Sequence, residues 1–318
     1  MISIVIPIYN KAHTIVDTLQ TVLNQSFTDF EVLLIDDGST DDSLKVIKEL
    51  LLDKRFRIIS QTNQGVSASR NRGVEESKYE LIAFLDADDQ WFPDYLKKMV
   101  ETIHNFPDCV MYNCAGIVRN ADGSKSNRIA IKYIDTISTI NFFENPHVFL
   151  HTSATIVKKA VFNTLGGFPL SIKRNEDFAL FYSIALYGKV GYCGYPLSIY
   201  IGGVEGQATS TPFIKVMEHI AKRYNHVHQN YLLAGKKNRA YLIFLKYELR
   251  HLFKIILIDE GSKIVEKMMN LLDYDIIQQF SNFEISLYKN IRLKSLTFLF
   301  ITITKLRWRL RGYPRVGK

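Results

Sequence analysis

The sequence predicts an α/β fold, a mostly parallel central sheet with helices on both faces, followed by a helical, basic C-terminal region. Three observations predict it. β-branched runs alternate with helix-spaced apolar residues through residues 1–120; polar and acidic groups stand directly after successive strands; and the charge balance reverses near residue 211.

In order along the chain, Ile2–Ile6 is a continuous β-branched run, suited to a strand covered on both faces. Ile15, Val16, Leu19, Val22 and Leu23 recur at helical spacing. Glu31–Ile35 is a second strand, and Leu44, Ile47, Leu50 and Leu51 mark a second helix. Phe56–Ser60 reads as a strand, Ser67–Ser77 as a helix and Leu81–Leu85 as a strand. Pro93 opens a helix carried on by Tyr95, Leu96, Met99, Val100 and Ile103, and Val110–Val118 closes the series as a strand. After the turn signal at 120–123 the pattern loosens. A strand at Ala154–Val157, a turn at Gly166–Pro169, a helix from about Glu176 to Tyr187 and short strands near Lys189–Cys193 and Leu197–Ile201 follow. Residues 1–211 are therefore expected to form one α/β domain, with 1–120 as one half and 121–211 as the other, and 212–318 a helical region.

Composition narrows the function. Of 318 residues, 47% are hydrophobic and 23% charged, as in ordinary globular proteins. Cys109, Cys114 and Cys193 are too few and too irregular for a disulfide framework or a zinc site, which suits a reducing, cytoplasmic setting. The opening apolar run lacks the basic segment of a secretory signal, and no stretch reaches the ~18 apolar residues of a membrane span. Residues 1–210 carry 20 Lys+Arg against 24 Asp+Glu, whereas 211–318 carry 20 against 8, so the net charge of +8 belongs to the last third. The acidic balance of the first two thirds, with no recognisable reading motif, argues against nucleic acid as partner.

In open α/β sheets ligands bind beyond the carboxyl ends of the strands. There stand Pro7-Ile8-Tyr9-Asn10, then Asp36-Asp37-Gly38-Ser39-Thr40-Asp41-Asp42, then Gln61–Gly65 leading to Ser69-Arg70-Asn71-Arg72-Gly73, then Asp86-Ala87-Asp88-Asp89. Helix capping explains one such cluster; four along one rim indicate a binding site. In extended backbone, residues i and i+2 point to one side, so Asp86 and Asp88 can converge on one hard cation, Mn2+ or Mg2+, that bridges to a diphosphate. The glycine-rich phosphate loop is missing after the first strand, which disfavours hydride transfer and P-loop hydrolysis.

These motifs, in this order, resemble family 2 glycosyltransferases, inverting enzymes of the GT-A fold. The matching residues are Val5–Asn10, Asp36–Asp41, Arg70–Gly73, Leu85–Asp89, and Gly166-Gly167-Phe168 followed by Asn175-Glu176-Asp177. The resemblance covers about residues 1–210. It implies that Pro7 and Tyr9 shape and stack on a nucleobase, that Asp36 accepts a hydrogen bond from it, and that Arg70 approaches the phosphates. It also implies that Asp86, with Ala87 beside it, contacts the nucleotide, Asp88 ligates the metal and Asp177 is the general base. Glu176 reads equally as a cap or an acceptor contact, and the roles of Glu205 and Gln207 stay open. The implied reaction moves a sugar from a nucleotide-sugar donor, UDP favoured, to a glycan or lipid-linked glycan hydroxyl in O-antigen, capsule or lipopolysaccharide assembly. A catalytically silent sugar-nucleotide-binding scaffold of such an assembly is the alternative, which intact acidic clusters disfavour.

The last third lies outside the resemblance. From Ile291 to Arg311, Arg292, Lys294, Lys305, Arg307, Arg309 and Arg311 flank Leu293, Leu296, Phe298, Leu299, Phe300, Ile301, Ile303 and Trp308. That pattern suits a helix in an anionic membrane interface, with the protein peripheral at the inner face of the cytoplasmic membrane. Docking on the catalytic domain, or on a second copy in a homo-oligomer, is the other reading. His219, His226 and His228 read as surface or packing residues, and Tyr200 as core.

Overall fold

The strand runs organise the molecule. In a computed structural model describing residues 1–50, 53–145, 150–203, 211–236 and 238–310, β1 (Ile2–Ile8), β2 (Phe30–Asp36), β3 (Phe56–Ser60) and β4 (Leu81–Phe84) pair in parallel in the order β3-β2-β1-β4. Beyond β4 the sheet is mixed. β9 (Thr155–Lys158) runs antiparallel to β4 and to β6 (Met111–Asn120), and β10 (Val190–Gly202) runs parallel to β6. Short β5 (Gln90–Trp91) and β8 (Ile137–Ile140) pair with β10, and β7 (Lys125–Arg128) with β6, making ten strands in one sheet.

The period-two alternation of strand side chains divides the core by face. Ile4, Ile6, Val32 and Leu34 point to one side, under Ile15, Leu19 and Val22 of α1 (Ile15–Leu23), Ile47 of α2 (Ser43–Leu50) and Leu96 and Met99 of α4 (Tyr95–Asn105). Val5, Leu33 and Ile35 point to the other, under Val74 of α3 (Val66–Glu76) and Leu180 and Phe181 of α6 (Glu176–Ala185). Gly73 lets α3 lie directly on the sheet, since a Cβ there would stand 2.2 Å from Val5 Cγ1. A short α5 (Lys159–Thr164) leads from β9 into the Gly166-Gly167 turn.

The basic third is helical: α7 (Phe213–Leu233), α8 (Arg239–Asp259), α9 (Ser262–Leu271), α10 (Tyr274–Ile277), α11 (Asn282–Lys289) and α12 (Lys294–Leu310). It does not build a core of its own. Tyr241 and Phe244 of α8 pack edge-on against Phe142 and Phe143, Tyr182 of α6 joins them, and one apolar cluster runs from Val5 to Ile301. His228 is buried there beside Tyr241, as a packing residue.

The two short strands expected near 189–193 and 197–201 are one strand, β10, which keeps pairing with β6 through register shifts between Cys193 and Ser198. Gly194 and Pro196 interrupt the apolar run there, and the bulge absorbs the interruption. Glu205, Gln207 and Arg311 lie outside the described residues.

Candidate active site

The rim beyond β1 and β2 is stitched by local hydrogen bonds. Asn10, in left-handed backbone, accepts from Thr40 N at 2.8 Å and its own N–H donates to Ser39 Oγ at 3.1 Å. The Lys11 N–H donates to Ser43 Oγ and the Ala12 N–H to Asp41 Oδ2. Asp36 is buried beneath this seam and accepts from the Ser39 N–H, while Asp37 accepts from Gln61 Nε2 and the backbone N–H groups of Gln64 and Gly65, ordering the start of α3. Tyr9 stands above the seam with 47% of its surface exposed, close after Pro7.

At the end of β4 the three aspartates take different places. Asp88 Oδ2 lies 2.6 Å from Lys11 Nζ. Asp86 Oδ1 lies 2.6 Å from Arg70 Nη2. Asp89 turns inward, accepting from Ser153 Oγ at 2.5 Å and the Ile201 N–H at 3.2 Å, with His151 Nε2 3.3 Å away. Ala87 is buried, and its carbonyl accepts from Thr14 Oγ1. Ser153 also accepts from the Asp86 N–H, so the turn that leads into β9 holds the turn after β4.

Arg70 links this edge to the start of α6. Only 4% exposed, it reaches Asp86 with one nitrogen and Glu176 Oε1 with another at 3.0 Å, while its guanidinium lies over the Phe168 ring. Burial works against its charge, but Asp86 and Glu176 outweigh burial and hold it above its ordinary value. Burial works against the Asp86 charge as well, but Arg70, joined by His151 and Lys11, offsets it and holds that carboxyl below its ordinary value. Asn71 adds a second latch: its amide donates to the Phe168 carbonyl at 2.9 Å and accepts from the Phe168 N–H at 2.8 Å.

Asp177 follows Glu176 in the first turn of α6, after Asn175 in left-handed backbone. Its Oδ1 accepts from the Phe178 N–H at 2.8 Å and its Oδ2 from Thr152 Oγ1 at 3.4 Å. Burial, and then the Glu176 charge, push its carboxyl up to about 6, against the pull of Arg70 and His151. Burial pulls His151 down, while Asp86 and Asp177 pull it up.

Arg70 thus joins the end of β4, through Asp86, to the start of α6, through Glu176, with Asp177 next in sequence. Arg70 is committed to two carboxylates inside the protein. His151, Lys11 and Asp89 were not read from the sequence as site residues. Nothing local to Leu150-His151-Thr152 signals a role; only the fold brings His151 to Asp89 and sets Tyr200, expected in the core, 5.0 Å from its ring. Asp86, Asp89 and His151 offer ligand atoms within 4.8 Å of one another. Two carboxylates and an imidazole suit Mn2+ better than Mg2+, which keeps to oxygen. Asp88 stands outside this group and pairs with Lys11.

Three comparisons bear on this arrangement. The family model described as "Glycosyl transferase family 2" matches residues 3–166. An uncharacterized glycosyltransferase of Rickettsia felis is 31% identical over 197 residues, 60% of this chain and 31% of that protein. The amylovoran biosynthesis glycosyltransferase AmsB of Erwinia amylovora is 28% identical over 169 residues, 49% of this chain and 55% of AmsB. The chain thus spans only part of the length of the relatives it matches. Residues 1–349 of S. aureus TarS, crystallised with UDP, share the fold at a TM-score of 0.67 and 18% identity, over 96% of this chain and 88% of that one.

Proposed function

The chain belongs to glycosyl transferase family 2, and on that premise we propose that it transfers a hexosyl or N-acetylhexosaminyl group from a UDP-sugar to a glycan hydroxyl with inversion. The single observation that carries this reading is the Arg70 bridge. Its two ion pairs tie Asp86, at the strand end where a nucleotide would lie, to Glu176, the neighbour of Asp177, which supports reading them as parts of one site.

In the reaction, the acceptor hydroxyl oxygen attacks the anomeric carbon as the bond from that carbon to the diphosphate breaks. The hydroxyl proton goes to Asp177, and the leaving UDP takes the bonding electrons. A carboxylate raised to about 6 is a better proton acceptor than an ordinary one and is still ionised at neutral pH. Single displacement with inversion asks for one such base. Tyr9 and Pro7 would receive the base, with Asp36 beneath them, and Asp86 and Ala87 the ribose side. Asp88, exchanging its Lys11 partner for the cation, is the metal ligand we propose, with Asp86, Asp89 and His151 as neighbouring donors; Mn2+ there would supply charge stabilisation for the departing diphosphate. UDP is favoured because TarS, the fold neighbour, holds it, and a polysaccharide acceptor because AmsB is a biosynthetic enzyme of one. A lipid-linked acceptor at the inner face of the cytoplasmic membrane is the setting we propose.

The test is UDP release from several UDP-sugars, with and without Mn2+, by the full chain and by Asp177→Asn. We expect metal-dependent release, reduced about 10²–10⁴-fold in the variant with nucleotide binding retained. Unchanged turnover by the variant would retire the base; no release from any donor would favour a silent scaffold.

A further inference from the structure

We propose that α12 docks the protein on an anionic phospholipid bilayer through a second apolar face, a surface independent of the transfer site. The helix has two apolar sides. Ile301 and Thr297 are buried toward the rest of the protein, with the Thr297 hydroxyl donating to the carbonyls of Leu287 and Leu293 at 3.0 Å. On the opposite side stand Leu296, Leu299, Ile303 and Leu306, exposed by 43%, 56%, 44% and 55%. Their spacing of three, four and three residues aligns them in one stripe along about three turns. A helix covering only its own protein needs one apolar face, and four large aliphatic side chains in line on the other indicate an outside partner.

Charge selects the partner. Residues 211–318 carry 20 Lys+Arg against 8 Asp+Glu, and exposed Arg292 lies just before the stripe. Lys254 Nζ lies 5.5 Å from the Phe298 ring centre, so a cation also stands at the helix flank. In sequence, Lys305, Arg307 and Arg309 continue past Ile303. Two copies meeting at this surface would bring like charges together, whereas acidic headgroups would neutralise them while acyl chains receive the aliphatic stripe. Among the described residues no helix is long and apolar enough to cross a membrane, so α12 would lie in the interface plane.

The experiment is flotation of the full chain with vesicles of phosphatidylcholine alone and of phosphatidylcholine with phosphatidylglycerol. Wild type is compared with Leu299→Glu/Ile303→Glu and, as a milder change, Leu296→Asn/Leu306→Asn. Thermal melting confirms that each variant is folded, and gel filtration follows its size. The expected result is co-flotation with the anionic vesicles only, weakened by salt and reduced about tenfold or more in folded variants. Three results would overturn the proposal: no flotation of wild type, equal flotation of the variants, or a wild-type dimer that the variants split. The last would assign the stripe to a second copy. None of these readouts depends on sugar transfer, so failure here leaves the enzymatic reading standing.

Discussion

Asp177 has two opposing tasks, because the burial that makes its carboxylate basic also makes its charge costly. With the carboxyl raised from 3.8 to about 6, the folded protein holds this proton more tightly than the unfolded chain does. The linkage is therefore negative: the contribution of this group to stability falls as pH rises from near 4 through 6, and is lowest above 6. Asp177→Asn, which cannot ionise, should melt above wild type at pH 7–8 and approach it near pH 4. Wild-type kcat/KM should rise through about pH 6 to a plateau. Melting midpoints across pH, set beside initial rates, check both; a variant that melts lower than wild type at pH 8 would contradict the buried-charge account. Arg70 lowers this cost without cancelling it, since it divides one positive charge between Asp86 and Glu176.

At the scale of elements, the turn at Gly166-Gly167 is where backbone conformation serves the site. Gly167 has φ +77°, and a Cβ there would stand 2.6 Å from Asn71 Oδ1, the oxygen that receives the Phe168 N–H. Gly167→Ala therefore meets both backbone strain and a displaced latch. It should destabilise the protein by about 1–3 kcal/mol and lower turnover, read by denaturant titration and UDP release. A variant as stable and active as wild type would show the latch to be dispensable. The first four strands and their helices were legible because each signal is local: β-branched runs between two covered faces, then apolar residues at helical spacing. β7 and β8 were not, because Lys125–Arg128 and Ile137–Ile140 are short edge segments whose pairing, not composition, makes them strands. The acidic runs of the rim could be read for the same local reason. His151 and the link between Arg70 and Glu176 could not, since they join residues 106 apart in sequence or hang on a turn with no signature of its own.

At the scale of the whole molecule, charge and packing divide the chain differently. The formal charge changes sign near residue 211, yet the apolar cluster continues across that point from Val5 of β1 to Ile301 of α12. Denaturation therefore has no separable piece to remove first. Calorimetry should record one transition, and Ile301→Ala should lower it as a whole by about 2–4 kcal/mol; a separate early phase in that variant would show that the helices melt alone. A nucleotide seated at Tyr9 and Asp86 would then slow amide exchange in the helices farthest along the chain, because whatever favours the closed molecule at one end protects every residue whose opening requires global unfolding.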